Sequence, residues 1–468
     1  MLEKQIEKFL NIFRIPDLRK RVLFTLGILA VYRLGAWIPT PGVNTHQLDI
    51  MFSQQNGTMF GLMDLFSGGT LRRMTIFALG IMPYITSSII FQLLTVVYEP
   101  LARIQKEGEL GRRKITQWTR YLTVVLGALQ SLGIAYMLIR GGAVLHSNAG
   151  FVLLTILTLT AGTAFIMWLG EQITDRGIGN GMSLLIFTGI VAGLFRGIWN
   201  LVQKVQTDAW GSLSVVVALL LVAGMAAVVG FIVFVERSER RIPIQSARRI
   251  VGRRMMGGQS SHLPLKVNSG GVMPIIFASS ILSAPLLFSQ MDWVQNNRFL
   301  QSIIGPDGAL APGMPWYELL NILGIIFFAY FYVSIVMRPD DIADNFRKSG
   351  SFIPGIRPGK RTSDFINDIL TRITLVGAIY LIVVQIIPTF LISGIRFDKI
   401  WLIGRFLQNL PDWVIHGMKV NFYFGGTSLL IVVGVAMDTV NQIESQLIMR
   451  HYDGFSPRSG RIRGRKTW

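Results

Sequence analysis

Residues 213–235 read LSVVVALLLVAGMAAVVGFIVFV, an unbroken run without a charge that leads directly into ERSERR at 236–241. At 1.5 Å per residue a helix of that length extends about 34 Å, enough to cross a hydrocarbon core of about 30 Å. Nine further apolar stretches accompany it, at 22–38, 76–97, 121–139, 151–170, 182–199, 271–289, 317–337, 373–393 and 425–443. Only helices and closed barrels satisfy every backbone group in lipid, and these runs lack the alternation of barrel strands. The chain is therefore predicted to be all-α, a polytopic membrane protein of ten transmembrane helices.

The charge pattern agrees. Of 468 residues 51% are apolar and only 15% charged, where soluble domains carry about 25% charged. Of the 45 Lys and Arg, 34 fall in segments on the side of the N-terminus and ten on the opposite side, with Arg33 inside the first stretch. Basic loops stay in the cytosol. Both termini and loops 98–120, 236–270 and 338–372 are therefore predicted to be cytosolic, and an even span count gives the same answer. Residues 1–21 carry Leu2, Ile6, Phe9, Leu10 and Phe13 on one helical face. That suits an amphipathic helix on the cytosolic leaflet, or one packed on the protein's own loops. No cleavable signal peptide is visible. The absence of cysteine removes disulfides and thiolate metal sites.

Ten spans divide into halves of five, 22–199 and 213–443, joined by a short external hinge at 200–212 and followed by a basic tail at 444–468. A half with an odd number of spans re-enters with opposite orientation, so the halves are permitted an inverted-topology relation. Within the first half, 57–73 holds a short apolar core bracketed by Gly57 and by Gly68 and Gly69. It reads as a re-entrant, movable segment or an interfacial helix. The cytosolic loops 236–270 and 338–372 carry more arginine than orientation needs, and guanidinium forks suit phosphate or carboxylate partners; anionic lipid is the other reading. Residues 394–424 mix aromatics with charges and fit interfacial helices.

Some chemistry is missing. An ion-coupled transporter usually needs carboxylates or histidines near the bilayer midplane. Here Glu171, Asp175, Glu236 and Asp438 all fall toward cytosolic ends of spans. No phosphate-loop, zinc-protease or serine-hydrolase motif occurs, and GIGNG at 177–181 reads as a helix break. No catalytic residue, metal ligand or cofactor is expected. An ion-coupled secondary transporter of a small solute is the alternative reading, and an intramembrane enzyme a weaker one.

Several collinear stretches resemble one family, the bacterial SecY protein-translocation channels. They are FSGG at 66–69 with IFALGIMPYITSSII at 76–90, KEGELGRRKITQWTRY at 106–121, and MWLGEQITDRGIGNGMSLLIF at 167–187. QSSHLPLKVNSGGVMPIIFASSIL at 259–282, DNFRKSGSFIPGIRPGKRT at 344–362 and FYFGGTSLLIVVGVAMD at 422–438 complete the set. The resemblance implies two five-helix halves of inverted topology around a central pore in the bacterial cytoplasmic membrane. It implies passage of unfolded secretory chains and lateral release of apolar helices into lipid. It implies SecE-type and SecG-type small membrane subunits, a SecA-type motor ATPase, the ribosome, signal sequences, nascent polypeptides and phospholipid as partners. By motif, Ile81, Ile85, Met182, Ile186, Ile276 and Ile431 would form an aliphatic pore ring. Phe60, Leu62, Met63, Leu65, Phe66, Ser67, Gly68 and Gly69 would belong to a plug on its outer side. Thr86, Gln92 and Asn268 would make weak polar contacts at a lateral gate, and Arg248, Arg249, Arg253, Arg254 and Arg357 would dock the motor or the ribosome.

Overall fold

The structure, a computed structural model, describes residues 15–54, 68–146, 148–207, 214–246, 249–251, 254–256, 260–283, 285, 294, 296–305, 308–311, 314–393 and 426–453. The first part of the predicted amphipathic N-terminal helix, the short apolar segment before Gly68, and the segment 394–424 lie outside them.

Helices dominate. In the first half they are α1 (Pro16–Gly35), α2 (Thr45–Gln54), α3 (Met82–Val97), α4 (Glu99–Lys106), α5 (Glu109–Arg140), α6 (Ala149–Arg176) and α7 (Gly181–Gln206). The second half contributes α8 (Ser214–Arg237), α9 (Met273–Ser283), α10 (Arg298–Ile304), α11 (Pro315–Val336), α12 (Pro339–Ser349), α13 (Lys360–Ser393) and α14 (Gly426–Asp453). Each of the ten apolar stretches overlaps one of these helices. Among the described residues six helices are long and apolar enough to cross a membrane, and the bent pair α3–α4 makes up to seven.

Local chemistry sets the boundaries. Proline stands in the first turn of α1, α3, α4, α11 and α12, where its fixed φ suits the helix and its missing N–H is no loss. The Asn180 side chain caps α7 by accepting from the N–H groups of Met182 at 3.1 Å and Ser183 at 3.4 Å. Gly350, at φ 69°, ends α12 in the left-handed conformation. Between α3 and α4 the chain bends by 100°. Tyr98 is extended there, and Pro100 can only open a new helix.

The structure departs from the apolar pattern in three places. The second stretch is helical only from Met82; residues 70–81 form a series of buried turns. Helices α5 and α13 begin at Glu109 and Lys360, well before their apolar portions. The loop 236–270 also contains strands. β1 (Glu239–Ser246) pairs antiparallel with β4 (Ser260–Lys266) and with β5 (Ser351–Phe352), in the order β4-β1-β5. β2 (Arg249–Val251) and β3 (Arg254–Met256) form a separate two-stranded sheet. Along β1, Ile242 and Ile244 are buried while Arg241, Pro243 and Gln245 are exposed, the period of two that a half-buried strand requires. Because β5 belongs to the second basic loop, one sheet ties the two basic loops together. Ile242 and Leu265 pack with Val333, Ile353, Ile366 and Ile373, which seats the sheet on the ends of α11 and α13.

Helix packing connects the two halves along two seams. α3 meets α9 on one side; α7 meets α8 and α14 on the other. The largest apolar cluster of the molecule spans both seams.

Candidate functional site: an aliphatic constriction

Where the helices converge, the six residues picked out by motif belong to that one cluster. Ile81 immediately precedes α3 and Ile85 lies one turn on; both are buried, as are Ile186 of α7, Ile276 of α9 and Ile431 of α14. Met182, in the first turn of α7, is half-buried and packs on the same cluster, its thioether filling the notch left by Gly170 of α6. Ile81, Ile85, Ile186 and Ile276 face a common narrow cavity, completed by Leu79, Gly80, Met82, Ser279 and Ser280. Met182 and Ile431 do not line it. The surface offered is mainly aliphatic, with two serines beside the isoleucines. Such a surface gives an ion no replacement for its hydration shell, yet its contacts are non-directional and re-form around any passing side chain.

The polar residues expected at a gate are dispersed. The Thr86 hydroxyl donates to Met82 O at 3.1 Å and the Gln92 amide to Ser88 Oγ at 3.1 Å, so both are satisfied within α3. Asn268 is buried and holds a different position. Its amide donates to Glu236 Oε1 at 2.6 Å and to Gly271 O at 3.1 Å. It thereby fastens the end of α8 to the turn that opens α9. Among the described residues no hydrogen bond joins Asn268 to Thr86 or Gln92. Sequence reasoning passed over Gln130 of α5, a helix that packs on α3. It is buried, and its Oε1 has no hydrogen-bond partner among the described residues. Its signal was an amide in the middle of an apolar stretch, where polar side chains are rare.

Gly68 and Gly69 have φ 71° and 83°, a backbone that glycine adopts freely. Gly68 lies directly on α7: a Cβ there would come within 2.6 Å of Gly189 Cα. Phe60, Leu62, Met63, Leu65, Phe66 and Ser67 lie outside the described residues. In the loop predicted to be cytosolic, Arg357 is exposed in a turn whose Gly355 and Gly359 have φ 84° and 107°. The Thr362 hydroxyl donates to the Arg357 carbonyl at 2.9 Å, and Ser363 Oγ donates to Asp340 at 2.6 Å. The turn is therefore braced against α12 while the guanidinium stays free to reach outward. Arg249 and Arg254 stand on β2 and β3, with Arg249 opposite Met256 and Arg254 opposite Val251; Arg248 and Arg253 lie outside the described residues.

This architecture has counterparts among solved structures. One described as the structure of a protein conducting channel superposes with a TM-score of 0.63 at 17% identity, covering 94% of this chain and 95% of its own. Sec61 in the canine ribosome-channel complex from the endoplasmic reticulum gives 0.59 at 15% identity, with 94% and 95% covered. The class is thus a multi-pass helical membrane protein with the protein-conducting-channel fold. A family model described as SecY matches residues 75–440. The protein translocase subunit SecY of Escherichia coli K12 is 46% identical over 441 residues, 93% of each chain. That of Streptomyces coelicolor is 44% identical over 468 residues, 96% of this chain and 99% of its own. The chain belongs to the SecY family.

Proposed function

We propose that this chain is the channel-forming subunit of the general secretory translocase in the bacterial cytoplasmic membrane, with ten spans and both termini in the cytosol. It conducts unfolded secretory polypeptides and releases apolar helices sideways into lipid. The observation that carries this reading is the convergence of Ile81, Ile85, Met182, Ile186, Ile276 and Ile431, from four helices, into one aliphatic cluster in a chain of this family. Such a ring passes many sequences and recognises none, as a general secretory channel must.

In this reading the seam where α3 meets α9 is the lateral exit, the segment leading to Gly68–Gly69 is the plug, and the arginines of the two cytosolic loops dock the motor or the ribosome. The sheet β4-β1-β5 makes those two loops one platform. SecE-type and SecG-type subunits complete the complex, a SecA-type ATPase supplies the work, and the chain itself is a conduit without catalysis. Reconstitution with these partners should give ATP-driven, protease-protected uptake of a signal-bearing chain. Uptake of a small solute coupled to a proton or sodium gradient, without uptake of polypeptide, would overturn the proposal in favour of a transporter.

A further inference from the structure

Ile81 and Ile85 stand at the start of α3, yet the segment that delivers them is not helical. Residues 70–81 form a strap of turns that is almost wholly buried: Met74 is 0% exposed, Thr75 1% and Phe77 2%. Its backbone is tied to the exit from α1, since Thr40 N–H donates to Met74 O at 2.8 Å and Ile76 N–H to Ile38 O at 3.0 Å. It is also tied to itself. The Thr70 hydroxyl donates to Phe77 O at 3.1 Å, and Phe77 N–H donates to Thr75 Oγ1 at 3.3 Å. Met74 has φ 46°, a left-handed backbone that residues with side chains rarely adopt and that persists only where the surroundings impose it.

Two helices grip this strap from either side. The Phe77 ring is stacked between Tyr32 of α1, with centroids 5.7 Å apart, and Phe165 of α6, at 6.1 Å. Gly35 of α1 makes room for that ring, because a Cβ at Gly35 would fall among its atoms. Gly162 of α6 makes room for the strap's backbone, because a Cβ there would run into the Ile76 carbonyl oxygen. From Phe77 the path to the constriction is short, two successive hydrogen-bonded turns. Gly80 N–H donates to Phe77 O at 2.8 Å and Ile85 N–H to Ile81 O at 3.1 Å. Leu79 and Gly80 themselves line the central cavity.

We infer that Gly35, Gly162 and Phe77 are positioning residues: they clamp the strap between α1 and α6 and so set how far Ile81 and Ile85 reach into the constriction. The inference rests on the pore-ring reading above. The first turn of a helix has no preceding turn to hold it, so the placement of these two isoleucines comes from the strap. Close packing leaves no slack to absorb an added methyl, and a shift of the strap is a shift of the ring wall.

The test uses the full-length channel in planar bilayers, reading resting ion conductance alongside membrane level and thermal unfolding of the same preparations. Alanine is favoured over glycine in a helix, so a loss of seal in a Gly→Ala variant reports the notch and not the helix. Gly35→Ala and Gly162→Ala should each raise resting conductance roughly tenfold, a population change equivalent to about 1.4 kcal/mol. Gly27→Ala of α1 and Gly150→Ala of α6, where a Cβ meets nothing within 4 Å, should leave it unchanged. Phe77→Leu removes the ring atoms that the Gly35→Ala methyl strikes, so the double variant should leak less than Gly35→Ala alone. If both notch variants stay tight while the ring pair Ile85→Asn/Ile431→Asn leaks, the clamp is refuted and the ring stands. If the ring pair is tight as well, the ring reading fails. Should Gly162→Ala not reach the membrane, a double variant that leaks as much as Gly35→Ala or more refutes the clamp.

Discussion

At the scale of single residues, the proposed constriction depends on what its side chains lack. Ile85 and Ile431 are buried in the central cluster, and an unpartnered amide in such surroundings costs roughly 1–3 kcal/mol. Ile85→Asn with Ile431→Asn should therefore draw water into the closed constriction and raise its resting conductance at least tenfold in single-channel recordings. Conductance at the unsubstituted level in that pair would remove these residues from the seal. Asn268 answers to a different logic, since it solvates a carboxylate. Asn268→Leu should leave Glu236 without its 2.6 Å donor and lower stability by about 1–3 kcal/mol, read as a lower unfolding temperature in detergent. Adding Glu236→Leu should recover much of that loss, because deleting both partners of a buried pair leaves no charge uncompensated; no recovery would mean that Asn268 acts through its Gly271 bond alone. The residues of the proposed ring were picked out by motif, five of them within apolar helices and Ile81 at the last position before α3. The partner of Asn268 was not, because it lies 32 positions away across a loop whose strands bring the two together.

At the scale of elements, the apolar runs placed the helices but not their ends or their interruptions. Residues 76–81 are as apolar as the first turns of α3 beyond them, so hydropathy alone cannot separate them from a span. Tertiary contacts with α1 and α6 hold them out of the helix, and this is where local preference yields to packing. The strands of the first basic loop had a local signal, the alternation of Ile242 and Ile244 with Arg241, Pro243 and Gln245, which the dense arginines obscured. Their pairing with β5 joins residues about a hundred positions apart and had no local signal. That sheet and the turn after it frame the Arg357 prediction. The turn is braced by Thr362 and by the Ser363–Asp340 bond, so Arg357→Glu changes the charge offered to a partner without disturbing the fold. Loss of a docking arginine costs about 2 kcal/mol or more, and reversal costs more. Motor-driven export should fall more than tenfold at matched membrane levels, with resting ion tightness unchanged. Thr362→Val, which loosens the turn but keeps the guanidinium, should have a smaller effect. Equal export by Arg357→Glu and the unsubstituted channel would take this loop out of motor docking.

At the scale of the whole molecule, the decisive quantity is the distribution of charge across the membrane. With 34 basic residues assigned to one face and ten to the other, every loop assignment is linked: moving one loop across would invert every later one. The packing carries the same linkage. β1 and β5, from two loops assigned to the cytosol, share a sheet, and Val43 and Val144, from two segments assigned to the outside, form a bridge. Neither contact can exist with its two segments on opposite sides of a bilayer. Which helices adjoin was unreadable from hydropathy, since lipid-facing and partner-facing residues are equally apolar; the sidedness assigned from arginine and lysine puts on one face the segments that each of these two contacts joins. The chain contains no cysteine, so one introduced thiol reports one position without background. Ser349 and His146 are both exposed, and each can be replaced without opening a cavity. In intact cells a membrane-impermeant maleimide should label His146→Cys and spare Ser349→Cys; in inverted vesicles the pattern should reverse. A thiol at Ser349 that reacts from outside the cell would overturn the orientation, and with it the assignment of both arginine-rich loops to the side where a motor or a ribosome can reach them.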